Sequence, residues 1–185
     1  MAPYGVDEFQ LMLLRRMADH QPGLVDDALR ALSASHADLR AAHNGWQARL
    51  RSRTHPGGAR RYRMALGPPE REVERRIGDL TCTALLWPLP LWPDLRFEVL
   101  CAPGGGVWNE WLVRAPGAAR PALGRTADLE PWSCVVEDVA RAFPPTEPLP
   151  PDAPSRARLA LTAPETGERL VAHFTWGLLQ YVADR

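Results

Sequence analysis

The chain has 185 residues, 45% hydrophobic and 24% charged, and its 22 basic residues balance 22 acidic ones for a formal net charge of zero. That length and composition suit a single globular domain, 1–185, burying roughly 70% of its unfolded surface. They exclude general disorder and any overall field drawing the protein to nucleic acid or to an anionic membrane. Every basic residue is arginine, so a Schiff-base lysine and the phosphate-binding lysine of a P-loop are excluded as well. The richness in Ala, Arg, Pro and Gly has the bias of a high-GC bacterial genome. Cys82, Cys101 and Cys134 are an odd number in no paired spacing, and the opening MAPYGVDEF lacks both a basic n-region and an apolar h-region. A soluble protein of the reducing cytoplasm is expected.

Asp7, with Gln10 three positions on, has the pattern of a helix cap, and Phe9, Leu13 and Met17 recur at helical spacing until Pro22-Gly23. Val25, Leu29, Leu32, His36, Leu39, His43, Trp46 and Leu50 then alternate in fours and threes. The spacing predicts one long amphipathic helix from about Leu24 to Arg51, with the first helix returning against it as a hairpin. His36 and His43 lie on the apolar stripe, about 10.5 Å apart in rise, too far to chelate one metal. They read as partly buried imidazoles, and no metal site is expected.

Six arginines between Arg49 and Arg63 meet no acidic neighbour in sequence. Arg60, Arg61 and Arg63 with Tyr62 form a candidate phosphate or RNA contact, since guanidinium pairs with phosphate and a ring stacks on a base. The bland alternative is a solvated or internally neutralised loop. Glu70 to Arg76, EREVERR, reads as a short charged helix or turn.

From Leu80 to Pro93 no side chain is charged, and prolines stand at 88, 90 and 93. Because proline removes a backbone donor and fixes φ, the middle of this run is expected to be irregular extended backbone, neither helix nor central strand. It is too short and too broken for the roughly 20 apolar residues of a membrane span. Trp87 and Trp92 bracket it, as a core plug or as the wall of a groove.

Leu95, Phe97 and Val99 alternate as a strand, the glycines at 104 to 106 make a hairpin turn, and Val107 to Val113 returns. Trp108 and Trp111, three apart, should face opposite ways. Pro131 opens an expected helix near 131–143 with Cys134 in its first turn. There a thiol can become a nucleophile, with His173 as the natural partner, although a buried structural cysteine is the plainer reading. After a Pro-rich connector, 144–155, a second hairpin flanks Ala-Pro-Glu-Thr-Gly, and Trp176 leads a closing apolar segment.

These patterns predict an α+β fold, with an N-terminal helical hairpin on a small, mainly antiparallel sheet made from the two hairpins. The function they favour is that of a binding or accessory protein recognising a protein partner or a small apolar ligand. Its contact residues would be Trp87, Trp92, Trp108, Trp111 and Trp176. The rival is a small enzyme with a Trp-lined pocket and His173, Cys134, Glu110 or Asp138 as acid-base groups. Nucleic-acid contact through the arginine loop ranks third, and no motif calls for a cofactor.

Overall fold

The computed structural model describes residues 4–185. It is an α+β protein with two antiparallel four-stranded sheets where the sequence pattern predicted one. The chain divides into two compact units, the first ending at Glu110 and the second beginning at Trp111.

The first unit opens with helices α1 (Val6–Met17), α2 (Pro22–Ala31), α3 (His36–Arg51) and α4 (Ala59–Leu66). The cap of α1 is Gly5, whose N–H donates to Glu8 Oε2 at 2.8 Å, and Asp7 falls inside the first turn. The expected long helix is two helices. Ser33 takes a positive φ of 52°, and Ser35 caps α3 by accepting from the Asp38 N–H while Asp38 Oδ2 accepts from the Ser35 N–H at 2.9 Å. A Ser-x-x-Asp box thus restarts the helix, and a four-three count of apolar residues in the sequence does not register such a break. Helix α1 packs chiefly on α3, as the predicted hairpin requires.

Strands β1 (Arg71–Ile77), β2 (Leu80–Pro88), β3 (Leu95–Cys101) and β4 (Val107–Arg114) follow in sheet order β1-β2-β3-β4. Two expectations fail here. EREVERR is neither helix nor turn but contributes most of β1, the edge strand, exposed along its whole length. The stretch read as irregular is β2, a central strand paired with β1 on one side and β3 on the other. The prolines do not prevent this, because Pro88 is its last residue, and 90 and 93 stand in the turns beyond it. Gln10, fully buried in α1, accepts a hydrogen bond from the Leu91 N–H at 2.8 Å and so anchors that turn.

An aromatic cluster fills the core of this unit. Phe9 meets Phe97 edge-on at 4.8 Å and Trp46 at 5.3 Å, and Tyr62 lies 5.5 Å from Trp46. Offset and edge-to-face pairs of this kind add to the burial of the rings themselves.

The second unit carries α5 (Val136–Ala142), β5 (Glu147–Leu149), β6 (Arg156–Thr162), β7 (Arg169–Thr175) and β8 (Leu178–Asp184), with sheet order β5-β6-β7-β8. The Pro-rich connector therefore contains a short strand. Helix α5 starts at Val136, five residues later than expected: Trp132 has a positive φ of 64° and its N–H donates to Leu179 O, so the chain before the helix lies along β8. Strands β7 and β8 turn through Trp176 and Gly177, both at positive φ, as the two central residues of a tight hairpin turn require. A Cβ on Gly177 would stand 2.8 Å from Leu112 O, so that site admits only glycine. Leu129, Cys134, Val139, Phe143, Leu159, Leu161, Ala172 and Phe174 make a mainly aliphatic core with two phenylalanines.

Candidate functional site

Of the tryptophans proposed as contact residues, the structure withdraws three. The Trp87 ring is 1% exposed and its Nε1–H donates to Gly67 O at 3.0 Å, so it is a core plug with its polar handle satisfied. Trp92, in the turn held by Gln10, and Trp176, in the β7–β8 turn, are buried too. Trp111 is half-buried, its indole N–H enclosed without a partner. Trp108 alone of the five presents its ring, 51% exposed, on β4 just after the glycine turn.

The arginine loop is similarly dismantled. Tyr62 is buried in the aromatic cluster and has no face for a base to stack on. Arg63 Nη2 pairs with Glu72 at 2.8 Å. Arg49 lies over the Tyr4 ring at 4.5 Å and donates to Gly45 O. Arg60 is exposed, whereas Arg61 is half-buried beside Tyr62 and its charge is felt by Glu110. Arg49 and Arg63 are thus tied to the fold and Arg61 is half-buried, while Arg51, Arg53 and Arg60 are exposed.

Of the four acid-base candidates, Cys134, His173 and Asp138 belong to the second unit and Glu110 to the first. Cys134 sits fully buried ahead of α5, not in its first turn, and burial pushes its thiol up to about 11. Such a thiol stays protonated and inert at neutral pH. His173 follows Ala172 and precedes Phe174, both of which face the core that holds Cys134, so it lies on the other face of β7. There its ring stacks on Tyr181 at 4.3 Å. Asp138 is buried, with Oδ2 2.5 Å from Arg114 Nη2 and 3.1 Å from the Val135 N–H that it caps. It is a structural ion pair and helix cap.

Glu110 is different. Desolvation by burial raises its carboxyl to about 7, with the Arg61 charge pulling the other way. Two positions from Trp108 along β4, it shares that residue's side of the strand. The candidate site is therefore a small surface with an exposed indole, a carboxyl titrating near neutrality and a half-buried guanidinium. The sequence marked all three residues but spread them over three different hypotheses. It missed Arg114, and it gave Gln10 a capping role in place of the buried bond to the Leu91 N–H. An amide inside the apolar run Phe9 to Leu14 was the available signal for Gln10.

His36 is exposed, bonded through Nε2 to Asp26 at 2.9 Å, against the expected place on a buried stripe. His43 is half-buried, and burial, then Arg16 and Arg15, hold its pKa down. Among the described residues no group of three or more His, Cys, Asp or Glu side chains is placed to hold a metal ion, and no helix is long and apolar enough to cross a membrane. A cleft of about 570 Å³ beside α1 and α3 is lined by Tyr4, Glu8, Asp38 and Arg49 among others. Its polar groups serve the fold: Glu8 and Asp38 cap the two helices, and the Tyr4 hydroxyl reaches Ala42 O at 3.2 Å.

No family model matches the chain, and no curated protein matches it. Among solved structures, one described as a "putative beta-lactamase inhibitor protein" from Streptococcus mutans aligns with 72% of this chain and 86% of its own, at 9% identity and a TM-score of 0.30. Likeness at that level carries no argument about what this protein does.

Proposed function

We propose that this chain is a non-enzymatic accessory protein of the reducing cytoplasm that binds a protein partner through the β4 surface around Trp108. The observation that carries the reading is the half-exposed indole of Trp108 on a hydrogen-bonded strand. A large ring held on regular backbone has little freedom left to lose on contact, and tryptophan is the residue most enriched among interface hot spots. The three cysteines are free and buried, which suits a reducing compartment.

The test is affinity capture from cells with wild type and Trp108→Ala, the fold of each checked by circular dichroism. A partner captured by wild type should fall at least about tenfold with Trp108→Ala, as a hot-spot loss of 2 kcal/mol or more implies. Equal capture of every protein by both would sink the proposal. A second reading, a small enzyme using Glu110 as its base, draws on the raised carboxyl. It would move ahead if Trp108→Ala left binding intact while Glu110→Gln abolished turnover of some substrate.

A further inference from the structure

Strand β1 is the outer strand of its sheet, and all seven of its residues are exposed. An edge of this length displays unpaired backbone donors and acceptors, and proteins commonly blunt such edges with proline, a bulge or charged side chains, lysine above all. Between Arg71 and Ile77 there is no proline, no lysine and no bulge, since the register against β2 is unbroken, and the strand's five charges are of both signs, so they disfavour only a partner edge whose charges do not match them. It also shows apolar side chains to solvent, Val73 at 38% and Ile77 at 43%, beside Leu80 at 45% across the hairpin.

The order of residues along β1 specifies what fits there. Two copies joined edge to edge by a two-fold axis normal to the sheet run antiparallel and keep corresponding faces on the same side. In the register centred on Arg75, Val73 of each copy faces Ile77 of the other, and Glu74 faces Arg76. Each relation occurs twice by symmetry, so apolar meets apolar on one face and acid meets base on the opposite face. Only the central Arg75 pair sets like charges together, and each of those guanidiniums is already held by the buried Glu98 of its own chain at 2.7 Å. The neighbouring registers are worse. Centring on Glu74 sets that acid against itself and Val73 against Arg75, centring on Arg76 sets that base against itself and Val73 against Asp79, and centring on Val73 sets Glu72 against Glu74 and Arg71 against Arg75. Facing pairs of opposite charge or of apolar side chains stabilise an antiparallel edge, and like charges directly opposite destabilise it.

We propose that the chain forms a homodimer through β1, joining the two first-unit sheets into one continuous eight-stranded sheet. The surface is separate from Trp108 and does not depend on the reading given to that residue.

Sedimentation equilibrium on the full chain tests this with charge reversals at two exposed positions whose side chains leave the core untouched. Wild type should show a concentration-dependent monomer–dimer equilibrium. Glu74→Arg leaves bases at both facing positions and Arg76→Glu leaves acids at both, so each variant alone should associate at least about tenfold more weakly. Mixed in equal amounts, the two single variants should recover a dimer of wild-type strength, because every facing pair in the mixed dimer is again acid with base. The double reversal in one chain should recover it too, and neither rescue could come from a change in folding alone. Wild type that stays monomeric into the millimolar range, a dimer indifferent to both reversals, or single variants that fail to associate on mixing would each overturn the proposal.

Discussion

Each unit buries one polar side chain that reaches back to an otherwise unanswered backbone N–H, and the two do so in opposite ways. In the first unit the side chain is neutral: Gln10 is fully buried and accepts from Leu91. In the second it is charged: Asp138 accepts from Val135 next to an aliphatic core and is balanced by Arg114 at 2.5 Å. Removing the neutral group loses a hydrogen bond, while removing the charged one also strands a guanidinium that is itself 10% exposed. The difference is between a fastening that fails locally and one whose failure leaves a charge behind.

The largest effect should accordingly fall on the charged fastening. Asp138→Ala removes the cap of α5 and leaves Arg114 buried without its near partner, so unfolding in urea should show a loss of about 3 to 5 kcal/mol. Much of that should return when Arg114→Leu is added, because the stranded charge is removed with it. A double variant as unstable as Asp138→Ala alone would place the damage in the lost cap and not in the charge.

The fold class was legible because both hairpins announce themselves. Leu95 to Val99 alternates cleanly, the glycines at 104 to 106 turn the chain, and the same logic found β6 and β7. What misled the reading was proline. A rule that applies residue by residue was spread over the whole run from Leu80, although Leu80 to Trp87 contains none and forms a central strand. EREVERR misled for another reason: a strand exposed on both faces has no buried side to generate alternation, so its pattern is silent. The tryptophans were ambiguous because an indole on a strand can face either way, and Trp87 and Trp108 have opposite exposure. Trp87 is on a central strand and meets Tyr62 of α4 at 6.4 Å, while Trp108 is on the outer strand β4, a fact of tertiary packing. Glu110 was marked as a candidate, but its proximity to Arg61, half a domain away in sequence, is written in no motif.

Glu110 sharpens the same comparison as a half-buried acid of the first unit that lacks the close Arg partner Asp138 has. Its pKa is raised from its usual 4.5 to about 7, chiefly by burial. The folded state therefore holds a proton that the unfolded state has released between those two values, so stability falls as pH rises through that window and levels above it. Each pKa unit is worth about 1.4 kcal/mol, and the decline from about pH 5 to about pH 8 should be on the order of 2 kcal/mol after allowance for partial exposure. Glu110→Gln, neutral throughout, should flatten that slope, and Arg61→Ala should steepen it by removing the charge that favours the carboxylate. Identical pH slopes for wild type and Glu110→Gln would contradict the buried placement of this carboxyl.

The smallest effect should come from the neutral fastening, and it is the one that tests whether the aromatic unit depends on a polar contact at all. Gln10→Leu keeps nearly the same volume in the core and gains apolar burial, but the Leu91 N–H loses its acceptor. An unanswered amide that is only partly enclosed can recruit water, so the net loss should be about 1 to 2 kcal/mol, less than half the loss from Asp138→Ala. The damage should also stay local. Amide hydrogen exchange should quicken at Leu91 and Trp92, in the turn that Gln10 holds, while amides of the central strand Leu80–Pro88 keep their protection. Gln10→Glu separates bond from charge: the carboxylate still accepts from Leu91 but must be buried ionised or bind a proton, so its stability should recover as pH falls. If Gln10→Leu instead destabilised as strongly as Asp138→Ala and exposed the whole of β2 to exchange, the turn would be integral to the core and the contrast between the two fastenings would disappear.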